Sequence, residues 1–504
     1  MDVNLEKIPD DPAECKRIIK ELLSQLMSER EENEELRQRL QLFLREKFGR
    51  KSESLTPGQL RLFMEAADGS LDALGEDIAA EEAPSPRSHG RRKPAVDLLR
   101  ERRVVDVSES ERVCSGCGKE RVQIGEEVSE QYDYVPSSIR VIEHVRVKLA
   151  CKDCEKSVTI AAVPTKPIAK GLATAGMIAH VGVSKYADHL PLHRQEGIFR
   201  RQGAEISRST MCDWLAQTAS ILEPLYLLQK SRVMGGKVIW CDDTPVKVQD
   251  RSRDRNIKEG RIWIYRGDGA NPYSVFDYTE SRSRDGPLNF LAGYTGFLQA
   301  DAFAGFDCIY ADRKVKECAC MAHVRRKFYD ALPSSKKPAS EAIDFIQQLY
   351  KVESLAVDLS SSERRQLRLA VSKPILDDFK KWLDLQVVVA LPKSQIAKAV
   401  KYALNNWNAL NTFLEDGDLT IDNNWAENEL RRIAIGRKNW LFAGSDKGGR
   451  TAAIWVTLIA GCKRNKIDPF WYLRDAIDRL AANPNCDLQA LLPDKWAMEQ
   501  KITV

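Results

Sequence analysis

The sequence predicts a multidomain α+β protein, and three observations carry that prediction. An apolar seam with heptad spacing opens the chain, two Cys-x-x-Cys pairs follow about thirty residues apart, and short apolar strands ending in carboxylates precede a long helical stretch. At 504 residues the chain exceeds one core, and ~150 residues per domain suggests several units. The expected order is a coiled-coil helix over 1–50, a flexible linker over 51–95, a zinc ribbon over 96–165 and a helix-turn-helix-like segment over 166–230. An α/β core follows over 231–447, with an all-helical insertion at about 334–416, and C-terminal helices fill 448–504.

Composition sets limits on class. Hydrophobic residues make up 43%, and no run approaches the ~18 apolar residues that span a bilayer. The N-terminus lacks the basic-then-apolar order of a secretory signal, so the expected location is the cytoplasm, with no membrane partner. Lys and Arg number 77 against 73 Asp and Glu, a net charge of +4, so global charge does not establish a nucleic-acid partner; clustering decides. Twelve cysteines, four of them in two matched pairs, read as a metal-site pattern rather than a disulfide framework.

Ile19, Leu22, Leu26, Asn33, Leu36, Leu40 and Phe43 fall at alternating three- and four-residue steps, with a charged miss at Glu29. That is an a/d seam on a helix about 40 Å long, and Asn33 at an a position favours a defined two-stranded register. The competing reading is one amphipathic helix packed on its own protein; the heavily charged flanks favour self-association, as a homodimer or higher oligomer. Gly49 is placed to end this helix and Ser52 to cap the next. From about Ala66 to Pro94 the chain is first acidic, then Pro/Ser-rich and basic, as a solvated linker is.

Cys114 and Cys117, with Cys151 and Cys154, present four thiolates from two tight turns, a closed tetrahedral set for structural Zn²⁺. A redox dithiol is the weaker alternative. Strands around Glu127 to Tyr134 and Val141 to Leu149 are expected to form the ribbon hairpin. From Thr174 to about Lys230 the pattern is helical. A turn near Gly203 separates His193–Phe199 from a helix that Ser207 caps, with Arg208, Ser209 and Asp213 outward toward DNA and Met211, Trp214 and Leu215 inward.

At Lys237 strands begin. Val238–Cys241 is an apolar run that ends in Asp242-Asp243-Thr244-Pro245, which puts a carboxylate at the mouth of a buried strand. Ile262–Tyr265 and Tyr273–Tyr278 extend a meander, a short helix covers about Pro287 to Ala292, and Gly296–Ala300 is another strand ending in a carboxylate, Asp301. The two acids, 59 positions apart (301 − 242), are arranged as neighbouring strands of an RNase H-like sheet arrange them, with Glu427 arriving from a later helix. Phosphoryl transfer needs such a set, because two Mg²⁺ ions ~3.5–4 Å apart activate the attacking oxygen and stabilise the leaving one.

Between the second and third acids, Arg325, Arg326 and Lys327 are candidates to grip phosphates. His323 at a strand-to-helix junction is read as structural before catalytic. Cys318, Cys320 and His323 do not complete a second zinc set, since no fourth ligand is evident. Helices near Glu341–Leu359, Glu363–Leu385 and Ser394–Leu414 form the insertion and are expected to pack on the core. Arg431 is an i,i+4 partner for Glu427, and Arg437, Lys438 and Trp440 are either DNA contacts or a packed turn. Apolar helices over Thr451–Leu480 break near Asp468-Pro469, and the last residues read as a tail.

Over nearly its whole length the chain resembles the insertion-sequence-66 family of bacterial transposases. The resemblance lies in Phe48-Gly49-Arg50-Lys51-Ser52-Glu53, the cysteine-paired module, the Asp-x-Thr-Pro run at Asp242, and Asp301-Ala302-Phe303-Ala304-Gly305-Phe306. It continues in His323-Val324-Arg325-Arg326-Lys327-Phe328, Asp422-Asn423-Asn424-Trp425-Ala426-Glu427 and Arg437-Lys438-Asn439-Trp440-Leu441-Phe442. It implies a DDE transposase with an RNase H-like core, Mg²⁺ (or Mn²⁺) held by Asp242, Asp301 and Glu427, and DNA partners comprising the element's terminal inverted repeats and its target. Accessory proteins of the same element are possible partners. Two positions depart from the pattern: Asp243 replaces a usual Glu, leaving a competing acid, and Asn428 replaces a usual Arg. A DNA-binding regulator with an inactive core and a nuclease without strand transfer are the alternatives.

Overall fold

The computed structural model describes residues 138–150 and 158–502, except 170, 254, 255 and 312, with isolated positions 16, 20, 21, 36, 102 and 119. The four paired cysteines, the linker and all of the heptad seam but Leu36 lie outside the described residues. Residues 71–142 form a unit of their own, of which few positions are described; every element below belongs to the other unit.

A two-stranded hairpin, β1 (Lys148–Ala150) with β2 (Val158–Ile160), pairs antiparallel with Lys148 opposite Ile160. The strand expected over Val141 to Leu149 is thus confined to its end, and the strand expected around Glu127 to Tyr134 lies outside the described residues.

The centre is a five-stranded sheet: β3 (Val238–Gln249), β4 (Ile257–Gly267), β5 (Ser274–Thr279), β6 (Gly296–Ala300) and β7 (Val315–Ala319), in the order β5-β4-β3-β6-β7. β5, β4 and β3 form an antiparallel meander, whereas β3, β6 and β7 run parallel. Val238–Cys241 is apolar without alternation because that part of β3 is paired on both sides and covered on both faces. Beyond it the strand alternates, with Val246 and Val248 buried and Lys247 and Gln249 exposed.

The strand expected to stop at Asp242 therefore continues to Gln249. Pro245 does not end it, because pairing with β6 ceases at Trp240 and the missing N–H falls on a strand edge. That edge is then taken by a later segment: Ala443 donates to the Lys247 carbonyl and accepts from Gln249 N–H, each at 2.8 Å.

Helices of ten or more residues are numbered α1 (Ala175–Tyr186), α2 (Leu192–Arg201), α3 (Arg208–Met234), α4 (Met321–Ala331), α5 (Lys336–Leu355), α6 (Lys373–Val389), α7 (Gln395–Asn405), α8 (Asn424–Trp440), α9 (Asp446–Arg464), α10 (Pro469–Ala482) and α11 (Pro493–Ile502). α9 is buried along almost its whole length and packs on β5 and α3. Its Thr457 hydroxyl accepts the Phe276 N–H at 2.9 Å, pairing a donor on the edge strand. Its Trp455 lies against Gly182 of α1, where a Cβ would stand 2.2 Å from the indole. The C-terminal residues are not a tail: α11 buries Trp496, whose indole N–H donates to Asp475 at 2.8 Å.

The insertion packs on α4 through an aromatic cluster of Phe328, Phe345, Phe379 and Trp382. The single helix expected over Glu363–Leu385 is interrupted by a π turn at Arg368–Ser372. The turn aims Arg368 inward, where it is 1% exposed, pairs with Glu353 at 2.6 Å and donates to the carbonyls of Phe413, Asp416 and Leu419. One buried guanidinium thus ties the insertion to the segment that leads into α8.

Candidate active site

Trp240 of β3 pairs with Gln299 of β6, and the two acids lie two positions farther along each strand. The 59-residue offset of that register is the offset between Asp242 and Asp301, so the pleat directs both side chains to one face. The same face receives α8. The Gln299 amide, fully buried, donates to the Thr420 carbonyl at 2.5 Å and the Asp422 carbonyl at 2.9 Å, while its oxygen accepts from Thr420 N–H at 3.3 Å. Trp240 donates its indole N–H to the Thr420 hydroxyl at 2.8 Å. Asn423 reaches the Cys241 carbonyl at 2.8 Å, and Tyr350 donates to Asp422 at 2.9 Å. These bonds fix the entry of α8, whose first turn carries Glu427, a position at which the helix dipole favours a carboxylate.

Electrostatics bind the three acids together. Burial pushes the Asp242 carboxyl well above the usual range, and the charges of Glu427 and Asp301 push it further. Burial also raises Glu427, against the opposing charge of Arg326 and with Asp422 and Asp301 adding to the shift. Asp301 is raised by burial and opposed by Arg282. Glu427 Oε1 is buried without a hydrogen-bond partner. Crowded carboxylates with an unsatisfied oxygen are what a bound cation relieves, and their hard oxygens fit Mg²⁺ or Mn²⁺.

Asp243, the neighbouring acid, is already paired. Its side chain is 2% exposed, 3.0 Å from Arg261 and 2.8 Å from Arg282. Arg282 also stands 3.3 Å from Asp301. His323 enters the site: its Nε2 lies 3.9 Å from Glu427 Oε1, and burial, with Arg326 and Lys327 nearby, lowers the imidazole to about 4. Among the described residues, the metal-ligand atoms that converge within 4.8 Å of one another belong to Cys320, His323 and Glu427. Asp242 and Asp301 are not in that group, nor is Cys318.

The basic candidates separate by environment. Arg208 and Ser209 are exposed at the start of α3, with Ser207 capping as expected and Arg208 3.5 Å from Glu196. Arg326 and Lys327 are exposed, whereas Arg325 is half-buried beside Tyr350 and Tyr329. Arg437 donates to the Thr244 hydroxyl and the Pro245 carbonyl, both at 2.8 Å, so it joins α8 to β3. Trp440 folds over Gly436, where a Cβ would meet its indole nitrogen at 2.6 Å; Lys438 stays exposed. Arg431 is exposed and favours the Glu427 charge by proximity, while Asn428 points to solvent. Sequence reasoning missed the roles of Arg282, Gln299 and Asn423, and it offered Cys320 only as part of a second zinc set with Cys318 and His323 that lacked a fourth ligand.

Comparison with known proteins gives four matches. A model of the Transposase IS66 family matches residues 170–451, and one described as the zinc-finger binding domain of transposase IS66 matches 111–155, a span that contains all four paired cysteines. The IS66 C-terminal element matches 457–493, and a model described as Transposase C of IS166 homeodomain matches 35–104. Among curated relatives, the uncharacterized protein y4hP of Sinorhizobium fredii is 32% identical over 477 residues, covering 88% of this chain and 85% of its own. The uncharacterized protein y4qI of the same organism is 32% identical over 477 residues, covering 90% and 87%.

Proposed function

The chain belongs to the IS66 transposase family, and from that premise we propose that it binds the terminal inverted repeats of its element, cleaves a DNA strand there and joins the freed 3′-hydroxyl to target DNA. The reading is supported by the register that sets Asp242 and Asp301 at matching positions of neighbouring parallel strands, and by Glu427, whose charge raises the Asp242 carboxyl, on the helix that Gln299 and Asn423 hold against them. The sheet order β5-β4-β3-β6-β7, a meander followed by two parallel strands, supports an RNase H-like assignment for the core. A set of carboxylates without a paired nucleophile and base suits in-line displacement with no covalent enzyme intermediate.

In this mechanism Asp242, Asp301 and Glu427 would hold divalent ions. Such ions supply Lewis acidity to phosphoryl transfer, activating the attacking oxygen and stabilising the leaving one. Arg282 tempers the charge of Asp301 and neutralises Asp243, keeping the extra acid out of the set. Exposed Arg326, one helical turn from His323 and close to Glu427, offers a positive charge to a phosphate near the reacting bond. Arg208 and Ser209 present α3 to the repeat, with phosphates contacted for position and base edges for sequence. Cys114, Cys117, Cys151 and Cys154 would hold a structural Zn²⁺, and pairing of two chains through the N-terminal heptad seam would bring two ends together.

Among the described residues no helix is long and apolar enough to cross a membrane, consistent with action on DNA in the cytoplasm or nucleoid. Purified protein, a labelled repeat end and Mg²⁺ test the proposal: nicking at the element boundary is expected, and binding without nicking under permissive conditions would instead support a DNA-binding regulator. A strand-transfer product separates a transposase from a nuclease that only cuts.

A further inference from the structure

The group formed by Cys320, His323 and Glu427 is not explained by an all-oxygen metal set. Cys320 immediately precedes α4 and His323 lies in its first turn, so three-residue spacing brings thiol and imidazole to one side. Glu427 faces them from the first turn of α8, and all three ligand atoms lie within 4.8 Å of one another. Ligands at ~2.0–2.3 Å around a tetrahedral ion stand roughly 3.3–3.8 Å apart. The His323 Nε2 to Glu427 Oε1 distance of 3.9 Å is already close to that range.

Two further observations point to a cation. Glu427 Oε1, the oxygen that faces His323 Nε2, is buried with no hydrogen-bond partner. The Asn423 N–H approaches Cys320 Sγ at 3.2 Å, a contact that stabilises a thiolate. We propose that Cys320, His323 and Glu427 form a binding site for a borderline divalent ion of the zinc class, with a fourth position open. Sulfur and nitrogen donors select such an ion over Mg²⁺ or Ca²⁺, which take oxygen.

This inference rests on Glu427 being a metal ligand, as the proposed function also requires, and its test therefore reads metal content rather than cleavage. Full-length wild-type chain, His323→Gln and Cys320→Ser are dialysed against zinc alone, and bound zinc per chain is counted. The cysteine finger contributes equally to all three, so the wild type is expected to exceed each variant by one equivalent. Equal content in wild type and His323→Gln overturns the site, as does loss in Cys320→Ser alone. If buried Cys320 does not tolerate serine and circular dichroism shows unfolding, the half-exposed His323→Gln variant decides by itself. Magnesium-dependent nicking without the extra zinc defeats this inference alone; the extra zinc without nicking defeats only the functional reading.

Discussion

Gln299 and Thr420 meet across 121 residues of sequence, the buried amide of one donating to the carbonyl of the other at 2.5 Å and receiving its N–H at 3.3 Å. This contact sets where α8 starts, and therefore where Glu427 stands relative to Asp301. Gln299→Leu conserves volume but leaves the Thr420 carbonyl without its donor and the Thr420 N–H without its acceptor, at a cost of ~1–3 kcal/mol for each buried group, while the Asp422 carbonyl keeps the Thr420 hydroxyl at 2.6 Å. The expected result is a lower urea midpoint with an unchanged m-value, and a fall in cleavage greater than the loss of folded protein explains. Unchanged stability would show that the clamp is dispensable.

Arg282 places a positive charge 3.3 Å from Asp301 and so reduces the negative potential that an arriving cation meets. Arg282→Ala leaves Asp243 paired with Arg261 at 3.0 Å. Removing one opposing charge strengthens the pull of the carboxylates on a cation, so the Mg²⁺ concentration for half-maximal cleavage should drop about 3- to 10-fold. A rise in that concentration would mean that Arg282 organises the site rather than tempering it.

Arg437 and Lys438 are adjacent in sequence but occupy different environments. Lys438→Ala removes an exposed charge and should lower the salt dependence of repeat binding by about one unit of slope, with stability within ~0.5 kcal/mol of wild type. Arg437→Ala breaks two bonds to Thr244 and Pro245. It should destabilise by ~1–3 kcal/mol, read as a shift in Tm. Equal effects of the two substitutions on salt slope alone would assign both to the DNA surface.

Asp446 opens α9, accepting from Tyr278 at 2.6 Å and Lys258 at 2.8 Å. Partial burial raises its carboxyl, but these two hydrogen bonds outweigh that and hold it below the usual range. A depressed folded-state pKa contributes stability above the unfolded value, lost as pH falls through the folded one. Asp446→Asn should therefore cost about 1 kcal/mol at pH 7, and the gap from wild type should narrow below about pH 4, as followed by urea unfolding across that range.

Legibility in the sequence followed locality. The places of Asp242 and Asp301 were legible because each ends the run of a strand, whereas Glu427 follows polar residues; β6 matched its expected bounds because Gly296 and Asp301 bracket it. The continuation of β3 past Asp242 was not legible, because a strand passes through Pro245 only where its N–H is not needed, and that edge exists because β6 stops pairing at Trp240. The π turn at Arg368 was invisible because it answers to carbonyls between Phe413 and Leu419, presented by another segment. Arg282 and Asp243 look like surface charges until the fold closes them on Asp301. Cys320 and His323 lacked a third ligand in sequence for the same reason, since Glu427 joins them only when α8 is laid across the sheet.

The most direct measurement compares wild type with Asp301→Ala on a labelled repeat end, recording binding by mobility shift and cleavage in Mg²⁺ on the same preparations. The account predicts end binding within about threefold of wild type, a difference under ~0.7 kcal/mol, and cleavage reduced by at least a thousandfold, ~4 kcal/mol of barrier. Parallel loss of binding and cleavage would contradict it, making Asp301 a support of the fold rather than part of the metal-binding set.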